Sequence, residues 1–485
     1  MRLSQLLEGL EIFDCLSSKQ SNLTSEVSDP EIFRIVHDSR EVKTGDLFCC
    51  ISGLREDGHT YAEAAVKLGA SALLVERSFA GGDSIFDLQN SLPVVEVDSV
   101  RKSIGYVASR LEGNPSKKLN VIGITGTNGK TSVSKILAEI LTKDERRSEV
   151  IGTLSGGLTT PEAPELQNLL KTYLLDGVEN VVLEVSSHAL DQYRINGTKF
   201  EVVAFTNLSR DHLDYHETLE KYAEAKNRLF CLDFANKAVI MVDDNAGRVQ
   251  SDRAQKAGLE VVELSTAGLS AMVESTQVSF LWREREVKVP LGGRFTVRNV
   301  LLASELALLL GMEADQIVDG LSSIDQVPGR FEMVTEQYGF QVVIDYAHTP
   351  DALEVLLESC AHLSTGRVIL VFGCGGDRDP GKRPLMGAIS ENNADVVIVT
   401  SDNPRSENPE KIISDITSGM TVSPIVATDR RTAIKLALEM AVVGDLIVVS
   451  GRGHEKFQEL NETKIPFDDR LVIMEELQIL KDGFR

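Results

Sequence analysis

The chain lacks paired cysteines, low-complexity runs, an excess of positive charge and any apolar stretch long enough to cross a bilayer. Each absence removes a class of protein. Its six cysteines, Cys15, Cys49, Cys50, Cys231, Cys360 and Cys374, are scattered through 485 residues and mostly lie in apolar segments. That spacing excludes a thiolate zinc site and predicts buried free thiols, as in a reducing compartment. The first residues, MRLSQLLEGLEIFD, have no basic start, long apolar core or small-residue cleavage site, so no signal peptide is expected. No run of about 18 uncharged apolar residues occurs either, and a soluble, cytoplasmic protein without membrane contact is expected. With 50 Lys and Arg against 73 Asp and Glu, the net charge of -23 repels nucleic acid and anionic lipid. Any polyphosphate ligand must therefore meet a local positive site.

What is present is a globular composition, 42% hydrophobic and 25% charged. The length predicts about three domains. Residues 1–98 alternate short β-rich runs (IFRIV, DLFCCI, ALLVE, PVVEV) with one helical pattern, YAEAAVKLGA, and read as a small α/β domain. A helix over residues 99–112 leads into residues 99–334, where LNVIGIT, NVVLEVS, VVAFTN and AVIMV form a mostly parallel sheet of P-loop type. Residues 261–290 are less regular. Residues 335–485 alternate cleanly between strand and helix and read as a Rossmann-like, doubly wound domain. The fold class is α/β in three domains, and GCGGDRD, DNPRSENP and GRGHE fall at the carboxyl ends of strands, where such sheets bind ligands.

Strand LNVIGIT runs into Gly126-Thr127-Asn128-Gly129-Lys130-Thr131-Ser132 and then a helix. A glycine-containing strand-to-helix turn presents backbone N–H groups to an anion, Lys130 adds charge against phosphates, and the Thr131 hydroxyl suits Mg2+. The full P-loop pattern wants a glycine where Ile124 stands. Glu184 closes the apolar strand NVVLEVSSH, a position from which a carboxylate holds Mg2+. The stretch TNLSRDHLDYH offers Asp211, His212, Asp214 and His216, one as a ligand and the rest as caps or surface groups.

Taken together, GTNGKTS, TTPEAPELQ, EVSSHALDQYR, TNLSRDHLDYH, YAEAK, DYAHTPDAL, GCGGDRDPGKR, DNPR and GRGHE resemble the Mur ligase family in its MurE type. The resemblance implies an N-terminal domain for a UDP-linked substrate, a central ATPase domain and a C-terminal domain for an incoming amino acid. It implies that Ser39, Leu54, Arg55 and Glu56 lie near the UDP-sugar, and that Thr159, Thr160, Ser186, Gln192 and Arg194 contact a muramoyl dipeptide. Arg194 also suits a carboxylate or phosphate on chemical grounds. Asn299, Arg330, Asp345 and His348 match ATP-contacting positions, although a lone asparagine opening an apolar helix is also an ordinary cap. Lys226 matches a carbamylated lysine that, with His212, holds a second Mg2+; by spacing alone it reads as a surface helix lysine, and an unmodified ammonium has no acceptor for a cation.

The implied reaction joins meso-diaminopimelate to UDP-N-acetylmuramoyl-L-alanyl-D-glutamate at the expense of ATP, through an acyl phosphate, in a monomeric enzyme of peptidoglycan synthesis. Lys130, Glu184, His212 and Lys226 are its expected catalytic groups. Meso-diaminopimelate differs from lysine by a carboxylate at its far end, so a cation is required there. Arg405, in Asp402-Asn403-Pro404-Arg405, is that cation by its chemistry, and Arg378 is a second candidate; Gly451 and Glu455 suit the ammonium. The plain alternative is an Arg405–Glu407 surface pair. Arg452 stands where the family usually has lysine. The competing expectations are a lysine-adding or broad-specificity relative, a folylpolyglutamate synthase, and a non-catalytic nucleotide-binding regulator.

Overall fold

In this computed structural model the described residues are 1–10, 12–15, 29–53, 56–77, 88, 92–335, 338–461 and 463–483. They pack as two compact units, one of residues 1–123, 146–203 and 228–236, the other of residues 124–145, 204–227 and 237–485.

The first unit begins with a sheet of β1 (Ile12–Cys15), β2 (Arg34–Val36), β3 (Asp46–Cys49), β4 (Ala72–Glu76) and β5 (Val94–Val97), in the order β1-β5-β4-β3-β2. Only β1 runs antiparallel; the other pairs are parallel. β3, β4 and β5 carry apolar residues at successive positions because both faces are covered. Leu47, Leu74 and Val95 pack with helix Val100–Leu111, and Phe48, Leu73 and Val94 with helix Ala62–Leu68. Ser99 caps the former helix by accepting from Lys102 N at 3.4 Å, close to the boundary expected from sequence.

The next strands are β6 (Asn120–Thr125), β7 (Ser148–Ile151), β8 (Asn180–Glu184), β9 (Val202–Phe205), β10 (Lys237–Met241) and β11 (Glu260–Leu264), ordered β11-β10-β9-β6-β8-β7. Within the second unit, residues 261–290 are more regular than the sequence indicated. After β11 they form an antiparallel meander of β12 (Ala271–Val273), β13 (Val278–Trp282) and β14 (Arg285–Val289).

A further six-stranded sheet contains β15 (Glu332–Thr335), β16 (Gln341–Asp345), β17 (Val368–Phe372), β18 (Val396–Val399), β19 (Ile425–Val426) and β20 (Leu446–Ser450), ordered β15-β16-β20-β17-β18-β19. All neighbours except β15 and β16 are parallel. Helices Pro350–Leu363, Lys382–Asn393 and Pro409–Thr417 bury one face, and Arg430–Met440 with Asp469–Gly483 bury the other, which is the doubly wound arrangement. A short antiparallel hairpin, β21 (Phe457–Leu460) and β22 (Thr463–Pro466), follows β20. Its two four-residue strands, FQEL and TKIP, are half polar and gave no strand signal in the sequence.

Among the described residues, no helix is long and apolar enough to cross a membrane. Cys49, Cys50, Cys360 and Cys374 are buried free thiols and Cys231 is half-buried.

Candidate active site

In the second unit, β6 ends at a loop that only glycine permits at two points. Gly126 has φ 148° and Gly129 φ 86°. A Cβ on Gly126 would overlap the Thr206 hydroxyl, and one on Gly129 would stand 2.7 Å from Asn299 Oδ1. The loop is tied down from outside: Thr127 N donates to Asn207 O at 2.9 Å, Asn128 N to Asn207 Oδ1 at 2.9 Å, and Thr206 Oγ1 to Asn128 O at 2.6 Å. Helix Lys130–Lys143 then starts with Gly129 at its N-cap, so the helix N-terminus faces the loop.

Two lysine side chains converge on this turn. Lys130 Nζ donates to Gly126 O at 2.8 Å and Thr127 O at 2.9 Å, and Lys226 Nζ donates to Gly126 O at 2.8 Å. Lys226 is 1% exposed, not a surface lysine, and its Nζ lies 4.3 Å from the Tyr222 ring centroid. Burial, then the charge of Lys130, pushes its pKa well below the usual lysine range. Arg330 reaches the same turn, Nη2 donating to Thr131 Oγ1 at 3.3 Å while its guanidinium stacks on Tyr346, 4.3 Å from the centroid. Asn299 lies inside helix Phe295–Leu309 rather than at its cap. Asp345 accepts from Phe331 N and Ala347 N, each at 2.7 Å, and so fixes the backbone next to Arg330.

A cleft opens at the carboxyl ends of β16, β17, β18 and β20. One end is lined by Arg210, Asp211, His212, Asp214, His348 and Lys382. Asp211 Oδ2 stands 3.4 Å from His212 Nε2 and 3.9 Å from His348 Nε2, and Lys382 Nζ donates to His348 O at 2.9 Å. Burial would raise the Asp211 carboxyl, but His212, His348 and Lys382 outweigh it and hold Asp211 well below the usual carboxylate range. Burial keeps His348 below the usual imidazole range, despite the opposing pull of Asp211. His216, in contrast, is buried against Tyr215 and Tyr222, with ring centroids 4.8 and 5.2 Å away. It is a packing residue.

The other end is lined by Arg378, Asp402, Asn403, Arg405, Gly451 and Glu455. These are six of the seven positions singled out in sequence for the incoming amino acid; Pro404 is not in the lining. Asn403 Nδ2 donates to Glu455 Oε2 at 2.6 Å. Burial, then the neighbouring Asp402 charge, raises the Glu455 pKa. Gly451 is required by proximity as well as by its φ of 110°, since a Cβ there would stand 2.6 Å from Asp402 Oδ2. Arg405 is not paired with Glu407. Its Nε donates to Glu459 Oε2 at 3.1 Å and its Nη1 to Gly376 O at 2.7 Å, while Glu407 is held by the buried Arg383 at 2.8 Å.

Within the first unit, β8 delivers Glu184, fully buried, to a polar cluster. Thr153 N donates to its Oε1 and Thr153 Oγ1 to its Oε2, both at 3.1 Å. Thr159 Oγ1 lies 3.3 Å from Thr153 Oγ1, and Thr160 Oγ1 donates to Glu184 O at 2.8 Å and to Ser186 Oγ at 3.3 Å. Arg194 Nη1 donates to Thr160 O at 3.1 Å and Nη2 to Gln192 Oε1 at 2.7 Å, with Glu162 2.9 Å from its Nε. The five residues matched to a dipeptide are thus one hydrogen-bonded group with Glu184. Ser39 opens a single 3-10 turn, and Glu56 accepts from Tyr61 Oη at 2.9 Å. Leu54 and Arg55 lie outside the described residues.

Sequence reasoning missed Arg210, Tyr346, Asp379 and Lys382. Arg210 Nη2 pairs with Asp379 Oδ2 at 3.0 Å, and both line the cleft. The charged run GCGGDRDPGKR was the available signal for the last two. Among the described residues, no group of three or more His, Cys, Asp or Glu stands ready to hold a metal ion. Within the second unit, the Thr131 hydroxyl at the start of helix Lys130–Lys143 is an oxygen donor of the kind magnesium takes, alongside waters and substrate phosphates.

Three family models tile the chain: "Mur ligase family, catalytic domain" over residues 31–110, "Mur ligase middle domain" over 124–307 and "Mur ligase, glutamate ligase domain" over 329–453. The Aquifex aeolicus protein named UDP-N-acetylmuramoyl-L-alanyl-D-glutamate--2,6-diaminopimelate ligase is 42% identical, covering 91% of this chain and 92% of its own. The chain belongs to the Mur ligase family. The Chromobacterium violaceum protein of the same name is 40% identical over 92% of this chain and 94% of its own. A solved structure of a ligase of that name is 34% identical, with a TM-score of 0.67, covering 95% of this chain and 98% of its own. As a Mur ligase, the chain is an ATP-dependent enzyme that forms amide bonds.

Proposed function

We propose that this chain joins meso-diaminopimelate to the D-glutamate of UDP-N-acetylmuramoyl-L-alanyl-D-glutamate, a cytoplasmic step of peptidoglycan precursor synthesis. The observation that carries the substrate is the cleft with Arg405, Arg378, Asp402 and Glu455 at one end. Lysine has no far carboxylate for an arginine to meet; diaminopimelate has both the carboxylate and an ammonium for the acids.

Residues 1–98 are assigned the UDP moiety, 99–334 the ATP and 335–485 the amino acid. The D-glutamate side-chain carboxylate attacks the γ-phosphorus of ATP, giving an acyl phosphate and ADP. The free amine of diaminopimelate then attacks the acyl carbon, phosphate leaves and a proton is released. Two anions must meet in the first step, and the Gly126–Ser132 turn with Lys130 offsets their repulsion. Magnesium would supply further charge neutralisation, with Thr131 as one ligand, His212 and a carbamylated Lys226 as ligands of a second ion, and Glu184 assigned as a ligand by the family resemblance. Asn299 and Arg330 are assigned to the nucleotide, Asp345 to positioning Arg330, and Thr159, Thr160, Ser186, Gln192 and Arg194 to the dipeptide.

Phosphate release is to be measured with ATP, the UDP-dipeptide and each amino acid in turn. Turnover with meso-diaminopimelate and little with lysine supports the assignment; equal turnover with both, or none with either, overturns it. Arg405→Ala is expected to cost about 1.5–3 kcal/mol, a tenfold to hundredfold rise in KM for diaminopimelate. An unchanged KM in that variant removes Arg405 from the ligand.

A further inference from the structure

The hairpin that the sequence did not announce is built onto the arginine that selects the amino acid. Arg405 has a left-handed backbone, φ 50°, which costs free energy in a non-glycine residue unless its surroundings enforce it. They do. Arg405 N donates to Glu459 O at 3.0 Å, Asn461 N donates to Arg405 O at 2.8 Å, and Arg405 bridges to Leu460 in parallel fashion. The same segment holds the preceding residues, with Glu459 N donating to Asn403 Oδ1 at 2.9 Å and Gln458 Nε2 to Asp402 O at 2.5 Å.

Arg452 anchors that hairpin from beneath. It is fully buried, and its Nη2 donates to Phe457 O at 2.8 Å and Phe467 O at 3.0 Å, one on each side of the turn. Its guanidinium also lies over the Phe467 ring, 5.1 Å from the centroid.

On this support sits Glu459, whose carboxylate takes the Nε edge of Arg405 at 3.1 Å while Gly376 O takes one Nη1 hydrogen at 2.7 Å. A guanidinium offers a carboxylate two bidentate edges, Nε with Nη2 or Nη1 with Nη2. Glu459 closes the first. We propose that Glu459 is a positioning residue for amino-acid selection, fixing Arg405 so that only its Nη1–Nη2 end meets the far carboxylate of the incoming diamino acid. This rests on the reading of Arg405 given above. Glu459 itself touches no substrate.

The test uses the full chain with Glu459→Ala, Glu459→Gln, Arg405→Ala and the Glu459→Ala/Arg405→Ala double variant. Glu459→Ala raises KM for meso-diaminopimelate about three- to tenfold, with the loss falling on KM rather than kcat and the KM values for ATP and UDP-dipeptide unmoved. Glu459→Gln restores most of the difference, because its amide oxygen still accepts from Nε. In the Arg405→Ala background Glu459→Ala adds nothing. If Arg405→Ala weakens diaminopimelate use and Glu459→Ala does not, the positioning role fails alone. Parallel losses for all three substrates also overturn it, since they mark a structural role. If Arg405→Ala itself leaves KM unchanged, the parent reading fails and takes this one with it.

Discussion

Lys130→Ala lowers the rate of ligation by about a hundredfold to a thousandfold at saturating substrates. The reason is electrostatic. The molecule carries a net charge of -23, and its reaction brings a carboxylate against a triphosphate, so repulsion must be offset locally. Lys130 stands at the start of helix Lys130–Lys143 and is pinned over the turn by the carbonyls of Gly126 and Thr127 at 2.8 and 2.9 Å. A charge already in place needs no reorganisation as negative charge moves onto the transferring phosphoryl group. Removing it leaves the turn's backbone bonds to Asn207 and Thr206 intact. The folded state therefore survives, and Tm shifts by no more than about 2 °C. Initial rates of phosphate release together with a thermal melt check both halves. A rate within about threefold of wild type would remove Lys130 from the chemistry.

The parts of this molecule that were legible in sequence share one physical property. Strands β3, β6, β8, β17 and β20 are covered on both faces, so their apolar residues run on without alternation and stand out from the polar loops that follow. The carboxyl ends of β6, β8, β17 and β20 carry Gly126, Glu184, the GCGGDRD loop and the GRGHE loop, which is why these groups could be read as well. The meander β12–β14 was lost because the charged run Arg283-Glu284-Arg285-Glu286 covers the β13–β14 turn and the start of β14, and β21–β22 because it is mostly exposed. Lys226 shows what local pattern omits. Its helix, LEKYAEAKN, is polar in sequence, and only long-range packing against the Gly126 turn makes that one lysine 1% exposed. The partners of Arg405 were missed for the same reason: Glu407 is two residues away in sequence, but the acid that holds Arg405 is Glu459, on a strand whose position no spacing predicts.

Lys226→Met is expected to abolish ligation, by about a hundredfold or more, while making the protein at least as stable as wild type near neutral pH. These opposed outcomes come from one cause. Lys226 is buried, faces Lys130 and has its pKa pushed well below the usual lysine range. A lowered pKa favours the uncharged amine, and carbamylation as proposed above would have its lone pair attack carbon dioxide, giving a carbamate and releasing a proton. The carbamate has the oxygen acceptors that an ammonium lacks. The sign for stability follows from linkage. Between the depressed pKa of the folded state and about 10.4 in the unfolded chain, the unfolded state binds the extra proton, so stability of the uncarbamylated protein rises with pH through that window. Lys226→Met has no such proton and loses the slope, together with the cost of keeping an amine uncharged in a buried site. Denaturant melts across this pH range in carbon-dioxide-free buffer measure the slope in both proteins. Carbon-13 spectra in labelled bicarbonate should show a protein carbamate signal in wild type that the variant lacks. Full activity in Lys226→Met, or a carbamate signal that persists without this lysine, would overturn its assigned role.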